Sequence, residues 1–277
     1  MQALEALRHL FPSSSRRTLQ HWVKGGRFLV DEKPLERDSS WLEEGQTLSA
    51  QEQFSPPEKS KIKIYFHDRH VIVVEKPPGL LSVPLDTPTP QMHALRIVRA
   101  HFKTDQIFAV HRLDRETSGV MIFARGMDAR KKFKDLFETH SLQREYIAIV
   151  EGILPENSGT WRCNLLELPN FDVVASPEGK EAITHFEVLH RSAKYTYLRL
   201  RLETGRKHQI RVHCKLAGVP VLGDARYGAK ESPIKRMALH AKMISFVHPF
   251  TQKELLFTSP LPFTFKKLLP PKLNLEI

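Results

Sequence analysis

The sequence predicts an α+β protein: a small α-β domain over residues 1–50, a linker over 51–61, and a larger domain over 62–277 built on a mixed, mainly antiparallel β-sheet with flanking helices and loops. In the larger domain, short runs rich in β-branched and aromatic residues alternate with turn residues, which is typical of a sheet. The linker is polar, contains a proline pair and lacks periodicity, which indicates extended chain. The runs that predict strands lie at 62–66, 71–74, 120–123, 146–150, 195–202 and 256–257.

The small domain combines helical and extended patterns. Leu4, Leu7 and Leu10 repeat at helical spacing, and the serines at 13–15 offer an N-cap for a second helix from about Arg16. After a Gly-Gly pair that would end this helix, we expect a short strand at 28–30, a turn at 31–33 and extended chain at 44–48.

One helix stands out in the larger domain, over residues 128–138. Asp128 is placed to cap its N-terminus, and Phe133, Leu136 and Phe137 form an apolar stripe. The basic side chains outside that stripe indicate either a solvated face or a contact with an acidic partner. They are Arg130, Lys131 and Lys134.

Charge and composition bound the class of protein. The chain has 277 residues, of which 41% are hydrophobic and 26% charged, as expected of a soluble globular protein. Its 42 Lys and Arg against 31 Asp and Glu give a formal net charge of +11, which favours an acidic partner, either nucleic acid or an anionic membrane surface. The N-terminus lacks the pattern of a signal peptide, and no apolar run approaches the roughly 20 residues that span a bilayer. We therefore expect a cytoplasmic protein without a membrane partner.

The sequence gives no support for a metal or a cofactor. Cys163 and Cys214 form no CxxC pair and are expected to be reduced thiols. His208 and His213 are five residues apart, so they share no face of a strand or helix and are poor joint metal ligands. Neither GxGxxG followed by an acidic residue nor GxxxxGK[ST] occurs, so a nucleotide cofactor is not expected.

The residues 111–119, HRLDRETSG, place an aspartate between two arginines just before the apolar run 120–124. The flanking Arg112 and Arg115 favour the ionised form of Asp114, and a loop at a strand edge can present a carboxylate to a substrate while the sheet holds it still. Such a carboxylate can act as a nucleophile. Taken alone, the stretch also fits a turn former or an ion-pair partner.

Two further segments accompany HRLDRETSG: YFHDRHVIVVEKPPGLLSVP at 65–84 and TGRKHQIRVH at 204–213. In this order and spacing, the three segments resemble those of the RluA-type pseudouridine synthases, enzymes that isomerise uridine to pseudouridine in structured RNA. The resemblance extends from about residue 62 to about residue 248, which is most of the chain.

The resemblance implies an isomerase that needs no cofactor and a set of site residues. Asp114 matches the essential carboxylate, which either attacks the ribose or base covalently or abstracts a ribose proton to give a glycal-like intermediate. Tyr146 matches the pocket tyrosine that stacks on uracil and assists proton transfer, and Arg211 matches the arginine that pairs with the aspartate. The target uridine must be flipped out of its stack, and Arg112 either fills the gap or contacts phosphate. Arg206 is expected to contact RNA.

The small domain carries a resemblance of its own. SxxxLQHWVKGGRFLVDEKPL at 15–35, followed by EEGQTL at 43–48, is similar to a small RNA-binding domain found in a ribosomal small-subunit protein and in many RNA-modifying enzymes. Because residues 1–50 have no net charge, only a face of this domain could bind phosphate. We expect that face to include Arg16, Arg17 and Lys24, although a solvated helix face also fits.

The leading hypothesis is therefore an enzyme that isomerises specific uridines in structured RNA. Ribosomal RNA is the expected partner, with transfer RNA as an alternative; the target uridine and the oligomeric state stay open. A second hypothesis is a non-catalytic RNA-binding or ribosome-assembly factor on the same fold. A third, a metal-dependent RNA hydrolase, would need clustered carboxylates that the motif does not supply.

Overall fold

The computed structural model describes residues 1–11, 16–24, 28–31, 33–35, 37–50, 62–84 and 92–268. The chain divides into two compact units, one formed by Met1–Lys61 with Pro84–His93 and the other by Ile62–Val83 with Ala94–Ile277. The linker at 51–61 lies outside the described residues, so the boundaries expected at 50 and 62 stay a prediction. No helix in the described ranges is long and apolar enough to cross a membrane.

The first unit packs two helices and a three-stranded antiparallel sheet. The helices are α1 (Ala3–Leu10) and α2 (Arg16–Lys24), and the strands, in the order β2-β1-β3, are Lys33–Pro34, Phe28–Val30 and Leu48–Ala50. The predicted helices and the strand at 28–30 are confirmed; the proposed serine cap and the Gly-Gly stop lie outside the described residues. The apolar core consists of Ala3, Leu4, Leu7, Leu19, Val23, Phe28 and Leu35.

Extended chain over 44–48 was a wrong prediction. The backbone N–H of Gln46 donates to the carbonyl of Glu43 at 3.3 Å, and Gly45 has a φ of +95°. This closes a turn, since glycine adopts positive φ without steric cost. Extended structure therefore begins only at Leu48.

The second unit is built on one large sheet with helices against it. The elements in chain order are β4 (Lys63–His67), β5 (Val71–Lys76), α3 (Ala94–Phe102), β6 (Ile107–Ala109), β7 (Ser118–Arg125), α4 (Met127–Glu138), β8 (Leu142–Glu151), β9 (Ser158–Glu167), β10 (Val173–Ala175), β11 (Lys180–Arg191), β12 (Tyr195–Leu202), α5 (Gln209–Leu216), a short 3-10 helix (Ala225–Tyr227), β13 (Leu239–Val247), β14 (Glu254–Thr258) and α6 (Phe263–Lys266). The strand order in the sheet is β10-β9-β11-β12-β8-β13-β7-β5-β4, with β14 paired to β13 and β6 to β7. Among the described strands, β7 and β13 form the one parallel pair, so the mixed, mainly antiparallel sheet is confirmed.

Helix α4 packs its apolar stripe on this sheet, as predicted. Phe133 is fully buried, and Leu136 and Phe137 cover the same cluster of strand side chains. The expected cap is wrong: the helix begins at Met127, and Gly126, at a φ of +85°, is the N-cap without a side-chain hydrogen bond. Asp128 lies inside the first turn, where its negative charge interacts favourably with the helix dipole.

The parallel contact between β7 and β13 requires a glycine. Gly119 pairs with Ala241 and has a φ of +118°. A Cβ atom at this position would lie 2.1 Å from the carbonyl oxygen of Ala241, so no larger residue fits. This close approach fixes the start of β7, directly after the loop that carries Asp114.

Candidate active site

Asp114 lies in a tight turn that hydrogen bonds connect to the loop between β5 and α3. The backbone N–H of Thr117 donates to the Asp114 carbonyl at 3.1 Å. The buried hydroxyl of Ser82 donates to the carbonyl of Leu113 at 2.7 Å and accepts the Leu113 N–H at 3.0 Å. The residue before the carboxylate is therefore bonded through both of its backbone polar groups, and the Asp114 side chain stays 21% exposed.

Lys76 supports the same turn from the end of β5. Its side chain is fully buried, and its ammonium donates to the carbonyls of Pro77 at 3.0 Å, Leu80 at 2.7 Å and Arg115 at 3.0 Å. Three acceptors match the three protons of an ammonium group. Burial lowers the pKa of Lys76 to about 7. This lysine ties the backbone of the Asp114 loop to the turn that follows β5.

Arg211, on α5, holds the carboxylate itself. Its Nη1 donates to Oδ2 of Asp114 at 3.1 Å, while Nε and Nη2 bind the two oxygens of Asp224 at 2.6 and 2.8 Å. The guanidinium also lies over the ring of Tyr227, 4.7 Å from its centroid. Burial alone would lower the pKa of Arg211, but the hydrogen bonds and charge of Asp224 outweigh it and raise that pKa. The bidentate pair with Asp224 therefore fixes the plane in which Arg211 meets Asp114.

His208 approaches the other oxygen of the same carboxylate. Its Nε2 lies 3.8 Å from Oδ1 of Asp114, and its Nδ1 lies 2.7 Å from the Tyr227 hydroxyl. Its backbone is left-handed, with a φ of +54°, at the N-cap of α5. Burial lowers the pKa of His208 to about 4, although the charge of Asp114 opposes this, so the imidazole is neutral at pH 7.

The arginines that flank Asp114 in sequence have other neighbours. Arg115 donates to the carbonyl of Gly79 at 3.1 Å and lies 3.7 Å from the Glu116 carboxylate. Arg112 is exposed. The arginine that hydrogen-bonds to the carboxylate is Arg211, which is distant in sequence and comes from α5. The influence of Arg112 and Arg115 on the ionisation of Asp114 stays a prediction.

Tyr146 lies in the same part of the sheet. Tyr146 of β8 pairs with Ala241 of β13, which pairs in turn with Gly119 at the start of β7. The side chain is 9% exposed, and burial raises the pKa of its hydroxyl; Arg144 opposes this rise and the charge of Asp114 adds to it. The three residues assigned to catalysis thus come from three elements of one sheet-based site: the β6–β7 loop, β8 and α5.

His111 and Arg144 lie close to each other next to the loop that carries Asp114. The His111 ring stacks on Phe137 with 4.5 Å between ring centroids, and its Nε2 accepts the N–H of Ile122 at 3.0 Å. Burial, and after it the charge of Arg144, lowers the pKa of His111 to about 3. A neutral His111 therefore shapes the loop, while Arg144 donates to the carbonyl of Thr204 at 3.2 Å.

Four of the residues expected to bind RNA are exposed: Arg16, Arg17, Arg112 and Arg206. Arg206 uses its Nε to donate to the carbonyl of Glu181 at 2.9 Å. In the other unit, Arg16 and Arg17 are exposed on α2, and Lys24 is the last residue of that helix. The side chain of Lys24 lies outside the described part of the chain.

Sequence reasoning missed Asp224, Tyr227 and the support from Lys76 and Ser82. The first two follow α5 and lie beyond the matched motifs, in the segment Gly223 to Gly228. Both of these glycines have positive φ, +80° and +102°. The two glycines on either side of Asp224 and Tyr227 were the sequence feature that could have indicated a functional turn here.

Asp68, His70 and His248 form a group whose candidate metal-binding atoms lie within 4.8 Å of one another. Nδ1 of His248 accepts the N–H groups of Phe250 and Thr251, each at 3.2 Å, and its Nε2 lies 3.1 Å from the Asp68 carboxylate. With Nδ1 accepting, the proton of neutral His248 is on Nε2. That nitrogen then has no lone pair for a metal, so the three residues are poorly arranged to hold a metal ion together.

The fold and the site place one partly exposed carboxylate, Asp114, beside Arg211 and near the buried Tyr146 on a mainly antiparallel sheet. The family model described as RNA pseudouridylate synthase matches residues 70–216, which include Asp114, Tyr146, His208 and Arg211. The chain belongs to this family. It is therefore an RNA pseudouridine synthase, an enzyme that isomerises uridine in RNA.

Individual relatives agree with this placement. The chain is 33% identical to an uncharacterised RNA pseudouridine synthase of Bacillus subtilis over 258 residues, covering 91% of this chain and 86% of the relative. It is 33% identical to the ribosomal large subunit pseudouridine synthase D of Pseudomonas aeruginosa over 287 residues, covering 94% and 88%. The solved structure of human RNA pseudouridylate synthase domain containing 1 shares the fold, with a TM-score of 0.63, 23% identity, and 76% and 87% of the two chains covered.

Proposed function

We propose that this synthase isomerises specific uridines of large-subunit ribosomal RNA and that Asp114 is its catalytic carboxylate. The observation that carries the role of Asp114 is its pairing: a partly exposed carboxylate whose Oδ2 is held at 3.1 Å by an arginine that Asp224 itself immobilises. The choice of RNA is supported by relatives such as the Pseudomonas aeruginosa enzyme, which is named for the large ribosomal subunit.

The reaction needs one anionic group and one route for a proton. The bond from C1′ of ribose to N1 of uracil breaks with its electron pair on the base, the base rotates, and C5 bonds to C1′. The proton on C5 is then lost and one is gained at N1, so the product is an isomer. The Asp114 carboxylate can displace the base covalently or take a ribose proton to give a glycal-like intermediate. Both routes regenerate the carboxylate.

Tyr146 and Arg211 divide the remaining tasks. The buried tyrosine ring offers a face for the detached uracil, and its hydroxyl is the candidate for assisting proton transfer at C5. Because burial raises the pKa of Tyr146, the phenol stays protonated and can act first as a hydrogen-bond donor. Arg211 orients the carboxylate and compensates its charge.

RNA binding completes the proposal. The uridine must leave its stack, at a cost of roughly a few kcal/mol, and exposed Arg112 is placed on the Asp114 loop to fill the gap or hold a phosphate. Arg206 of the catalytic unit and Arg16, Arg17 and Lys24 of the small unit supply further positive charge for the RNA backbone. We expect the enzyme to act in the cytoplasm, where it would meet the proposed ribosomal RNA substrate.

A map of pseudouridines in total RNA tests both parts of the proposal. Cells with and without the gene are compared, and the deletion strain is complemented with the wild type or with Asp114→Asn. We expect a site in large-subunit ribosomal RNA to disappear and to return only with the wild type. A missing site in transfer RNA instead would refute the proposed substrate. Return of the site with Asp114→Asn would refute the catalytic role, and an unchanged map would favour the non-catalytic alternative.

A further inference from the structure

His208 links the candidate carboxylate to a buried tyrosine that no sequence motif identified. The Tyr227 ring packs under the Arg211 guanidinium, and the Tyr227 hydroxyl meets His208 Nδ1 at 2.7 Å. On its other side the hydroxyl accepts the backbone N–H of Val173 at 3.2 Å. Tyr227 is 4% exposed, and the His208 side chain is 8% exposed. Both groups are therefore nearly closed off from water.

These contacts determine where the imidazole proton lies. In the described part of the chain, the hydrogen bonds of the Tyr227 hydroxyl run to Val173 and His208. Since Val173 donates, the hydroxyl proton can be used only if it points to Nδ1 of His208. Nδ1 then accepts, and in a neutral imidazole the proton is on Nε2, the nitrogen that faces Oδ1 of Asp114.

We infer that His208 is a positioning residue for Asp114: its Nε2–H holds Oδ1 while Arg211 holds Oδ2, and Tyr227 fixes the tautomer that makes this possible. The inference rests on the proposed role of Asp114. The 3.8 Å separation is longer than a hydrogen bond of roughly 3 Å, so the contact has to tighten when RNA fills the site. Long contacts that shorten in the substrate complex are usual for catalytic groups.

The neutrality of the imidazole suits this role. A second cation on Asp114 would stabilise the carboxylate and weaken it as a nucleophile or base, whereas a neutral donor can orient the group with much less loss of reactivity. The positive charges near His208 also disfavour its protonation: they belong to Lys207, Arg211 and Arg226, while Asp114 is the acid that favours it.

Two isosteric changes separate positioning from backbone structure. Asparagine tolerates left-handed φ and places its amide where Nδ1 is, so His208→Asn keeps the contact with Tyr227 and loses the one with Asp114. Glutamine is longer and places an amide donor near the position of Nε2. His140 is the matched control, because it is exposed and has a φ of +55°.

Single-turnover rates and RNA affinities of the full chain test the inference on His208→Asn, His208→Gln, Tyr227→Phe, His140→Asn and Asp114→Asn. We expect His208→Asn to slow pseudouridine formation by about tenfold or more, and His208→Gln to recover to within about threefold of the wild type. Tyr227→Phe should also slow the reaction, since the tautomer is no longer fixed. RNA affinity should stay within about twofold for the His208, Tyr227 and His140 variants, and the rate of His140→Asn should match that of the wild type.

The results also separate this inference from the proposed function. An active Asp114→Asn would refute the role of Asp114 and the inference with it. If Asp114→Asn is inactive while His208→Asn reacts at the wild-type rate, only the inference is overturned. It is also overturned if His208→Gln is as slow as His208→Asn at equal thermal stability. Should His208→Gln fail to fold, the decision falls to Tyr227→Phe, whose wild-type rate would overturn the tautomer argument.

Discussion

The two sides of Asp114 are supported by different kinds of contact. On the loop side, Ser82 and Lys76 bind backbone groups: the N–H and carbonyl of Leu113, and the carbonyl of Arg115. On the α5 side, Arg211 and His208 face the carboxylate oxygens themselves. Contacts to backbone fix where the residue lies, and contacts to oxygens set its orientation and reactivity. Mutations on the loop side should therefore reduce stability first, and mutations on the α5 side should reduce the rate first.

Asp114→Asn should have the largest effect, because it removes the group that both sides support. Asparagine keeps the size and polarity but has no anion, so turnover should fall by roughly 10⁴-fold or more. RNA affinity, measured by filter binding, should change by no more than a few-fold. Residual turnover within tenfold of the wild type would rule out a catalytic carboxylate at this position.

The α5 side is tested by comparing Arg211→Lys and Arg211→Met with Arg206→Met. Lysine lacks the planar fork that binds both oxygens of Asp224 while it reaches Asp114, and methionine leaves both carboxylates without this partner. We expect a rate loss on the order of 100-fold for either change at Arg211. Arg206 is exposed and donates a hydrogen bond to a backbone carbonyl, so we expect Arg206→Met to lower the rate by no more than about threefold.

Thermal unfolding has to accompany this comparison, since Asp224 is 3% exposed and its charge becomes unpaired in Arg211→Met. The rates should therefore be taken at a temperature where every variant is folded. A larger loss at Arg206 than at Arg211 would mean that the arginine in contact with Asp114 is not the one that the reaction uses.

Tyr146 should show a smaller effect that separates its ring from its hydroxyl. Tyr146→Phe keeps the buried ring, so RNA should bind almost normally while the reaction stalls after cleavage of the glycosidic bond. Tyr146→Ala should also weaken binding, by about 1 to 3 kcal/mol if the ring stacks on uracil. Single-turnover assays that follow binding, any covalent adduct and product separately would show this. Wild-type product formation by Tyr146→Phe would leave the hydroxyl without a chemical role.

The loop side is tested by Ser82→Ala. This change leaves the N–H and carbonyl of Leu113 without their buried partner, at a cost of about 1 to 3 kcal/mol in the free energy of unfolding. With the carboxylate still held by Arg211, we expect the rate at low temperature to fall by less than about fivefold. Denaturant unfolding and single-turnover rates on the same samples give both numbers. A rate loss as large as that of Arg211→Met, without loss of stability, would contradict the division between the two sides.

The sequence predicted the sheet better than it predicted the site's support, for a physical reason. The run at 195–202 coincides with β12, because alternating tyrosine, leucine and arginine match a half-buried strand. The residues that we propose to carry the chemistry, Asp114, Tyr146 and Arg211, come from the motif resemblance, since no local pattern relates three residues from a loop, a strand and a helix.

The support was missed because it depends on tertiary contacts. Helix α5 begins after His208, whose backbone is left-handed, and no capping pattern in the sequence predicts a helix start there. Asp224 and Tyr227 meet Arg211 and His208 only after the chain has folded back. Buried Lys76 reads in sequence as the end of a strand, and its three carbonyl partners appear only in three dimensions.

The smallest effect is expected away from the site, at Arg16 and Arg17 of α2. Each phosphate contact contributes about −0.9 to the slope of log affinity against log salt for duplex nucleic acid, or about −0.7 for single strands. If both arginines bind phosphate, Arg16→Gln with Arg17→Gln should flatten the slope by between about 1.4 and 1.8 and leave the rate at saturating RNA unchanged. Arg8→Gln with Arg37→Gln is the control, because it removes the same charge from exposed positions of the same unit. Equal slopes for the two double variants would mean that Arg16 and Arg17 form only a solvated face, and that RNA recognition rests on the unit that carries Asp114.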